Sequence, residues 1–543
     1  MLTKRVAGVL AHPTSFPGRF GVGDLGGGAY EFLKFLDKAE QRLWQVLPLG
    51  PTSFGDSPYQ GFSTFAGNPL LISPELVRDE GLLSDVDLYI AAPFDENRVD
   101  YGRAMEFKTR LFAKAYAAFK RGLETDRKLR RAYDAFCSAN KFWLDDFSLF
   151  SALKRYFIEK RGPAGETDEF AAFAGAHVDT LGEDGVKDYY YGAVWNTWPD
   201  DIKNRENAAL AHYEKLLSEE TGYHKFLQYV FFKQWAALKD FANKLGISVI
   251  GDIPVFVAFD SADVWANSQL FQIGADGFPT SVAGVPPDYF SLTGQLWGNP
   301  LYNWAAHKRS HFSWWIRRVE SALAMVDEVR IDHFRGFEAY WAVPFGDKTA
   351  ADGEWKKAPG KELFEALQKK LGALPIIAED LGIITPEVEA LRLKFELPGM
   401  KVLHFAFSEP THKYLPHNYR DCNCVAYNGT HDNDTTAGWY ASAPEKERDY
   451  FRRLVNSDGA DAPWDMIRLL YSSTAQYAVS TIQDIMRLGA ECRTNLPGTT
   501  RGNWQFRYTA GMLQDWQAER LAYITRLFGR AAAIPKTDEK ESE

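Results

Sequence analysis

The chain has 543 residues, of which 45% are hydrophobic and 25% charged, and its formal net charge is -10 at pH 7. A single barrel domain takes about 250 residues, so this length predicts a barrel with large insertions or a second domain. The negative charge argues against a nucleic-acid partner, which requires a basic surface, and fits an uncharged substrate. Four cysteines are too few for a disulfide framework. Because no three metal-ligating residues occur at local spacing, we also expect no metal site.

The first residues, MLTKRVAGVLAHP, carry positive charge, but His12 and Pro13 end their apolar stretch early. This stretch is shorter than the apolar core of a signal peptide. No apolar run reaches the ~20 residues that a membrane-spanning helix needs. We therefore expect a cytoplasmic protein without membrane contact.

Strands and helices alternate at the start of the chain. A strand (VAGVLAH), a helix (GAYEFLKFLDKAE) and a second strand (RLWQVLPLG) follow one another, which is the order of a βαβ unit in a parallel sheet. After Pro51 this order stops, and residues 71–225 show mainly helical patterns. The alternation returns with a long helix that ends at Gly246 and the strand ISVIGDIPVFV.

The second half of the chain predicts further barrel elements. Residues 259–312 are rich in glycine, proline and aromatic residues and predict a loop-rich insertion. Strands are then predicted at DEVRIDHF, LPIIAEDLG, KVLHFAF and NCVAYNG, with helices between them, and WDMIRLLYSSTAQYAVSTIQDIM is predicted as one helix. The predicted parts are 1–70 (first part of a barrel), 71–225 (helical insertion), 226–258 (barrel), 259–312 (insertion covering the site), 313–530 (remainder of the barrel) and 531–543 (disordered tail).

Four acidic motifs lie at or just after the ends of apolar runs: VIGDIPVF with Asp252, EVRIDHFRGF with Asp332, PIIAEDLG with Glu379 and YNGTHDND with Asp432. Such runs are typical of parallel strands that are buried on both faces. The catalytic groups of a (β/α)8 barrel come from the C-terminal ends of several strands. The pattern therefore predicts an α/β fold of the (β/α)8, or TIM, barrel class, and an enzyme.

The residue types in these motifs suit chemistry at glycosidic bonds. Arg330 and Asp332 share a strand face, and a guanidinium favours the ionised aspartate that a nucleophile requires. Glu379 shares a face with apolar Ile377, which can raise its pKa as a general acid requires. An ionised aspartate beside a protonatable glutamate is typical of glycosyl transfer. The alternative for each motif is a strand-end carboxylate that caps a helix or binds backbone amides.

Two further features support a sugar substrate. His333 follows Asp332 directly and His431 precedes Asp432, so both histidines are candidates to bind sugar hydroxyls, although an ordinary structural role is the alternative. The segment 284–304 holds five aromatic residues among polar residues, glycine and proline. This composition favours a lid or a sugar-stacking surface over a place in the core.

The chain resembles the amylomaltases, the 4-α-glucanotransferase or disproportionating-enzyme family. The resemblance implies a (β/α)8 barrel with large, mostly helical insertions and no separate C-terminal β domain. It is carried, in family order, by HPTSFPGRFGVGDLG, QVLPLGPTSFGDSPYQ, FWLDDFSLF, GDIPVFVA, GVPPDYFSLTGQLWGNP, VRIDHFRGF, IIAEDLG, PGMKVLHFAF, GTHDNDT and RGNWQFR.

The resemblance also implies roles for single residues. Asp332 corresponds to the nucleophile, Glu379 to the general acid/base and Asp432 to the third carboxylate, which grips sugar hydroxyls. Two departures from the family pattern are Asn428, where threonine is expected, and Ser408-Glu409, where an aspartate is often seen. Substrate-binding positions are implied at Ser57, Tyr59, Gln60, Asp252, Tyr289, Phe290, Gln295, Trp297, Arg330, His333, His431 and Asn503.

The expected activity is transfer of an α-1,4-glucan segment to the 4-hydroxyl of another glucan or of glucose. The expected partners are maltooligosaccharides and starch- or glycogen-type α-glucans, and no cofactor is expected because the bonds broken and formed are alike. The alternatives are an α-1,4-glucan hydrolase and a catalytically silent glucan-binding protein. The oligomeric state is left open by the sequence.

Overall fold

The computed structural model describes residues 2, 4–162, 167–287, 291–499 and 501–531. Nearly all of the predicted disordered tail lies outside these residues. The described residues form twelve strands, numbered in chain order: β1 (Val6–Leu10), β2 (Leu43–Gln45), β3 (Ser248–Ile253), β4 (Ser281–Val285), β5 (Gln295–Pro300), β6 (Glu328–Ile331), β7 (Ala339–Pro344), β8 (Glu354–Lys357), β9 (Ile376–Ala378), β10 (Gly399–Val402), β11 (Cys424–Tyr427) and β12 (Tyr477–Thr481).

Eight of these strands in the described part of the chain form one parallel sheet, in the order β10-β11-β12-β1-β2-β3-β6-β9. The two ends of the sheet meet, because the Ala378 amide at the end of β9 donates to the Pro398 carbonyl just before β10, at 2.9 Å. The Met400 amide of β10 also donates to Asp380 Oδ1, at 2.6 Å. The predicted (β/α)8 barrel is confirmed.

The barrel interior is filled by buried side chains, as in a packed core. Each strand sends alternate residues inward, and bulky apolar residues fill the space. The inner cluster consists of Val6, Leu10, Leu43, Ile250, Ile377, Met400, Val402, Val425, Tyr427, Tyr477 and Val479.

Helices surround the barrel, and the longest of them lie between β2 and β3. The helices of the described residues are α1 (Gly27–Lys38), α2 (Pro74–Asp79), α3 (Tyr101–Thr125), α4 (Arg127–Ala139), α5 (Lys141–Arg161), α6 (Asp168–Tyr191), α7 (Asp200–Lys203), α8 (Asn207–Leu216), α9 (Ser218–Lys244), α10 (Ala262–Ala266), α11 (Trp304–Arg309), α12 (Ser313–Met325), α13 (Gly360–Leu371), α14 (Pro386–Lys394), α15 (Thr436–Ser442), α16 (Glu445–Val455), α17 (Ala462–Ser472), α18 (Ile482–Ile485) and α19 (Asp515–Leu527). Among these described helices, none is both long enough and apolar enough to cross a membrane.

The prediction of one helix over residues 464–486 is wrong. Helix α17 ends at Ser472, and residues 477–481 form β12, which pairs with β11 on one side and β1 on the other. The run Tyr477-Ala478-Val479 is buried on both faces, and periodicity does not separate such a run from a buried helix. Strand β10 ends earlier than predicted, because residues 403–405 form a short 3-10 helix.

A second, antiparallel sheet has the strand order β5-β4-β7-β8. Strands β4 and β5 lie in the segment predicted to be loop-rich, and β7 and β8 follow the Asp332 motif. Their pairing buries Val282, Val343 and Ala350. Because β4 pairs with β7 across more than 50 residues of sequence, with Ser281 opposite Pro344, local patterns do not reveal this sheet.

A buried ion pair joins the helical segment to the first part of the barrel. Lys108 of α3 places its Nζ atom 2.6 Å from the Leu70 carbonyl, 3.0 Å from the Ile72 carbonyl and 3.4 Å from Asp24 Oδ2. The side chains of Lys108 and Asp24 are 1% and 7% exposed. Removal of either partner would leave a buried polar group without its ligand, so this contact anchors α3 to the barrel.

Replacement of Lys108 by methionine should lower stability strongly. Breaking a buried ion pair by removing one partner costs about 3–5 kcal/mol, because the other charge stays buried. Thermal melting at one scan rate should show a clear drop for K108M. The control K34M removes an exposed pair between Lys34 and Glu31, which is worth about 0–1 kcal/mol. Equal melting temperatures for the two variants would contradict this account of the anchor.

Candidate active site

The acidic motifs of β3, β6 and β9 meet at the C-terminal end of the barrel. In the parallel register Asp252 lies opposite Arg330, and Ile331 lies opposite Ala378. Asp332 directly follows β6, and Glu379 directly follows β9. The Glu379 amide still donates to the Ile331 carbonyl, at 3.1 Å. Neighbouring strands are about 4.8 Å apart. The two carboxyl groups therefore come from adjacent positions on adjacent strands.

Arg330 lies between two aspartates. Its NH1 atom is 2.5 Å from Asp252 Oδ2, and its NH2 atom is 2.7 Å from Asp332 Oδ1. The side chain of Arg330 is 5% exposed and that of Asp252 is fully buried, whereas that of Asp332 is 31% exposed. Although burial opposes its charge, the two carboxylates raise the pKa of Arg330 well above its ordinary value. Tyr59 completes this group by donating its hydroxyl to Asp252 Oδ2, at 2.8 Å.

This arrangement suits Asp332 to nucleophilic attack. The guanidinium binds one carboxylate oxygen, while the side chain remains partly open to the cleft. This single contact, from a guanidinium that Asp252 holds on its other side, also limits the orientation of the carboxylate. An ionised, oriented and accessible carboxylate is what covalent catalysis requires.

Glu379 is buried and is held by two backbone amides. The amide of His333 donates to Oε2 and that of Leu381 to Oε1, both at 2.7 Å. Burial and, next, the negative charge of Asp332 raise the pKa of Glu379 to about 8, although Arg330 and the two amides act in the opposite direction. Glu379 is therefore protonated at neutral pH, which suits a general acid.

The backbone at His333 allows the contact with Glu379. His333 has φ 51° and ψ 51°, in the left-handed region, which costs a residue other than glycine about 1–2 kcal/mol. This conformation directs the His333 amide toward Glu379 Oε2. Backbone strain of this kind is found where the surrounding structure enforces it, often at functional sites. Here it links the loop after Asp332 to the neighbouring carboxyl group.

Asp432 follows β11, further round the barrel. Its side chain is 44% exposed, and its Oδ1 atom lies 3.4 Å from Nε2 of His431, which is buried. Burial lowers the pKa of His431, against the opposing effect of Asp432, so the imidazole is neutral at neutral pH. The His431 ring stacks on Tyr59, with ring centroids 5.1 Å apart. Tyr59 therefore contacts both the Asp252 side and the Asp432 side of the barrel mouth.

The predicted residues on β5 contact the rim of the same cleft. Trp297 lies edge-on to the His333 ring, with centroids 4.8 Å apart, and its indole nitrogen donates to Gln295 Oε1 at 3.3 Å. Gln60 binds Asn299 on the same strand through its amide, with Nε2 3.1 Å from Asn299 Oδ1. These contacts fix the antiparallel sheet against the catalytic end of the barrel.

Other predicted residues have different positions. The Ser57 hydroxyl accepts from the Tyr59 amide, at 3.3 Å, so Ser57 shapes the loop that carries Tyr59. Asn503 accepts from the Leu496 amide at 2.9 Å and donates to the Thr499 carbonyl at 3.0 Å, so its amide group is used within its own loop. The predicted aromatic pair Tyr289 and Phe290 lies outside the described residues.

The two departures from the family pattern lie in different surroundings. Asn428 is buried, donates to Asp484 and accepts from the Thr481 amide, at 3.3 Å, so it joins the end of β11 to the end of β12. Ser408 and Glu409 are both exposed.

The sequence did not identify three residues that shape the site. Asn299 lies within a quoted motif, but its contact with Gln60 depends on the pairing of β5. Arg493 and Asn495 bind the Asp432 segment, with Asn495 Nδ2 2.6 Å from Asp432 Oδ1. They belong to no motif, and no local pattern predicts a contact over more than 60 residues of sequence.

Within the described ranges, no three His, Cys, Asp or Glu side chains are grouped so that they could hold a metal ion. The polar atoms of the site are carboxyl, guanidinium, imidazole, amide and phenol groups. Such a set binds neutral polyhydroxylated molecules through hydrogen bonds and supplies an acid and a nucleophile.

The barrel and its paired carboxyl groups define a carbohydrate-active enzyme. The chain belongs to the 4-alpha-glucanotransferase family, whose sequence profile matches residues 11–513. It is 47% identical to the 4-alpha-glucanotransferase of Synechocystis over 98% of this chain and 99% of that one. It is 46% identical to that of Thermus thermophilus, over 95% and 97%. The solved structure of the amylomaltase from Streptococcus agalactiae in complex with acarbose is similar, with a TM-score of 0.88, 39% identity and coverage of 97% of this chain and 100% of that one.

The substitution D332N should lower the pKa of Glu379. It removes a negative charge that raises this pKa to about 8, while burial, the larger cause, remains. The pKa should therefore fall but stay above the ordinary value of glutamate. Infrared difference spectra of D332N against D332N/E379Q, recorded across pH, isolate the protonated carboxyl band of Glu379.

The same titration of wild type against E379Q gives the reference, and the exposed substitution D352N is the control. Asp352 lies on the turn before β8, so D352N should leave the midpoint unchanged. An identical midpoint in wild type and D332N would show that the charge at position 332 does not act on Glu379.

Proposed function

We propose that this chain transfers α-1,4-glucan segments from a donor glucan to the 4-hydroxyl of an acceptor glucan or of glucose, with retention at the anomeric carbon. The observation that carries the proposal is the adjacent pair of Asp332, bound by Arg330, and Glu379, whose pKa is raised to about 8. The proposed activity agrees with the names of the two relatives from Synechocystis and Thermus thermophilus, which are both 4-alpha-glucanotransferases. Maltooligosaccharides and starch- or glycogen-type α-glucans are the proposed substrates, and the cytoplasm is the proposed location.

In the first step the donor bond breaks. Glu379 gives its proton to the glycosidic oxygen while Asp332 attacks the anomeric carbon, which forms a β-linked glucosyl ester and releases the shortened glucan. Arg330 holds Asp332 in place for the attack and stays charged throughout, because its pKa lies far above neutral. Once Glu379 has lost its proton, the two carboxyl groups carry the same total charge as before.

In the second step the acceptor replaces Asp332. Glu379, now ionised, takes the proton of the acceptor 4-hydroxyl, whose oxygen attacks the anomeric carbon and displaces the Asp332 carboxylate. Two inversions give net retention. The bond formed is of the same kind as the bond broken, so the reaction needs no energy source and Glu379 ends protonated, ready for another cycle.

The remaining polar residues are proposed to hold the sugar at the cleavage point. Asp432, His431 and His333 are proposed to bind sugar hydroxyls, and the buried Asp252 is proposed to support sugar binding by fixing Arg330 and Tyr59. Hydrogen bonds to ring hydroxyls that strengthen in the transition state contribute several kcal/mol in glycosidases. Gln295, Trp297 and Gln60 are proposed to bind the adjoining sugars, together with Tyr59, Tyr289 and Phe290. Ser57 and Asn503 are proposed to support this binding through the loops that they shape, and Arg330 through its contact with Asp332.

Transfer exceeds hydrolysis only if an acceptor occupies the cleft in place of water. We assign this task to the segment 284–304, whose strand β5 is attached to the barrel rim through Asn299 and Gln60. A closed, dry site also strengthens the electrostatic interactions within it.

Incubation with maltotriose tests the proposal. Wild type should give glucose and a ladder of longer oligomers by chromatography. E379Q should lose activity by about 10²–10⁴-fold, which is the contribution of acid–base catalysis, and D332N should lose all turnover. The exposed substitution D352N should keep wild-type rates.

Two results would contradict the proposal. Short sugars without a ladder would indicate a hydrolase, and near-normal transfer by E379Q would exclude Glu379 as the acid.

The pH dependence of the reaction adds a second check. Because the first step needs protonated Glu379, kcat/KM should fall as pH rises through about 8, and a flat profile from pH 7 to 9 would count against the assignment.

A further inference from the structure

Asp432 is held from outside its own motif by the segment 492–504. Asn495 donates its side-chain amide to Asp432 Oδ1, at 2.6 Å. The Asn495 backbone amide donates to the His431 carbonyl, at 3.1 Å. Arg493 donates its NH2 group to the Asp432 carbonyl, at 2.6 Å. Both the side chain and the backbone of the acidic motif are therefore fixed by one distant loop.

We propose that Asn495 is a positioning residue that sets the rotamer of Asp432 for sugar binding, an inference that rests on the proposed function of Asp432. Asn495 itself does not touch the reacting atoms. Its amide acts through Asp432, and Arg493 holds the loop in place by donating Nε to the Asn495 carbonyl, at 2.8 Å.

The contact leaves one carboxylate oxygen for the substrate. Oδ1 of Asp432 has two neighbours, the Asn495 amide at 2.6 Å and His431 Nε2 at 3.4 Å. With Oδ1 engaged, we expect the Oδ2 atom of this 44% exposed side chain to accept from sugar hydroxyls. A free aspartate of this exposure would occupy several rotamers, so the amide removes conformational freedom before the sugar binds.

A neutral donor is suited to this position. A lysine or arginine would bind the carboxylate as an ion pair and weaken its capacity to accept from sugar hydroxyls. An aspartate would repel it, because two carboxylates in contact do not both ionise readily. The amide of Asn495 donates a hydrogen bond to Asp432 without adding a charge of its own.

The loop that carries Asn495 is itself braced. Gln483 donates to the Thr494 hydroxyl, at 2.8 Å, and the Trp504 amide donates to the Thr494 carbonyl, at 2.7 Å. Asn503 accepts from the Leu496 amide, at 2.9 Å, which closes the loop directly after Asn495. Asn503 therefore supports the position of Asn495 through the loop backbone.

Kinetics of N495A, D432N and the double variant test the proposal. N495A should lose about 10–100-fold in kcat/KM with maltotriose, since misplacement of a binding group by about 1 Å costs up to ~10²-fold. If Asn495 acts through Asp432, N495A should have little further effect in the D432N background. The control is N97A, the same substitution at an exposed asparagine, which should keep wild-type kinetics.

A charge variant separates positioning from folding. In N495D a carboxylate replaces the amide beside Asp432, so kcat/KM should fall further than in N495A, because two neighbouring carboxylates repel each other. A residue that only stabilised the loop would lower the melting temperature without this additional loss. Melting temperatures of N495A and N97A are compared at one scan rate.

Affinity for acarbose, measured by calorimetry, provides a readout that does not depend on transfer. N495A and D432N should weaken acarbose binding to a similar degree, and the double variant should bind no worse than D432N alone. Losses that multiply in the double variant, or wild-type kinetics and affinity in N495A, would overturn the proposal. If wild type hydrolyses maltotriose without transfer, the proposed function fails. The comparison of N495A, D432N and the double variant can then still be made from rates of hydrolysis and from acarbose affinity.

Discussion

The catalytic end of the barrel depends on one buried guanidinium shared by two aspartates. Arg330 binds Asp252 on one strand and Asp332 on its own strand, and a charged group this deeply buried requires such partners. The pair with Asp252 is wholly internal, so it fixes Arg330. The contact with Asp332 then fixes a carboxylate that reaches the cleft. The charge on Asp332 in turn contributes to the raised pKa of Glu379.

The parallel barrel supplies the geometry that this interaction needs. Adjacent strands in register place Asp332 beside Glu379, and the loop after Asp332 returns an amide to Glu379 through the left-handed backbone of His333. Asp332 and Glu379 are thus linked by the backbone, and the charges of Asp332 and Arg330 both act on the pKa of Glu379. The nucleophile and the acid of the proposed mechanism need different surroundings, and the two carboxyl groups have them. Asp332 is partly exposed beside Arg330, whereas Glu379 is buried and bound by two backbone amides.

The sequence predicted what local patterns determine. Apolar runs that end in acidic residues revealed the strands of Asp252, Asp332, Glu379 and Asp432, and therefore the barrel and the catalytic end. Strand β12 was missed because its buried apolar run has no distinguishing period. The antiparallel sheet and the Asn495 contact were missed because both depend on residues distant in sequence. Tertiary contacts of this kind override local propensity and leave no trace in a single motif.

The most direct test of the central claim is to trap the glycosyl-enzyme. E379Q is treated with α-maltosyl fluoride, a donor whose leaving group needs no acid, and is then quenched, digested and analysed by peptide mass spectrometry. Because E379Q lacks the base for the second step, a maltosyl adduct should accumulate on the side chain of Asp332. An adduct on Asp252, Asp432 or another residue, or no adduct while the fluoride is consumed, would contradict the account.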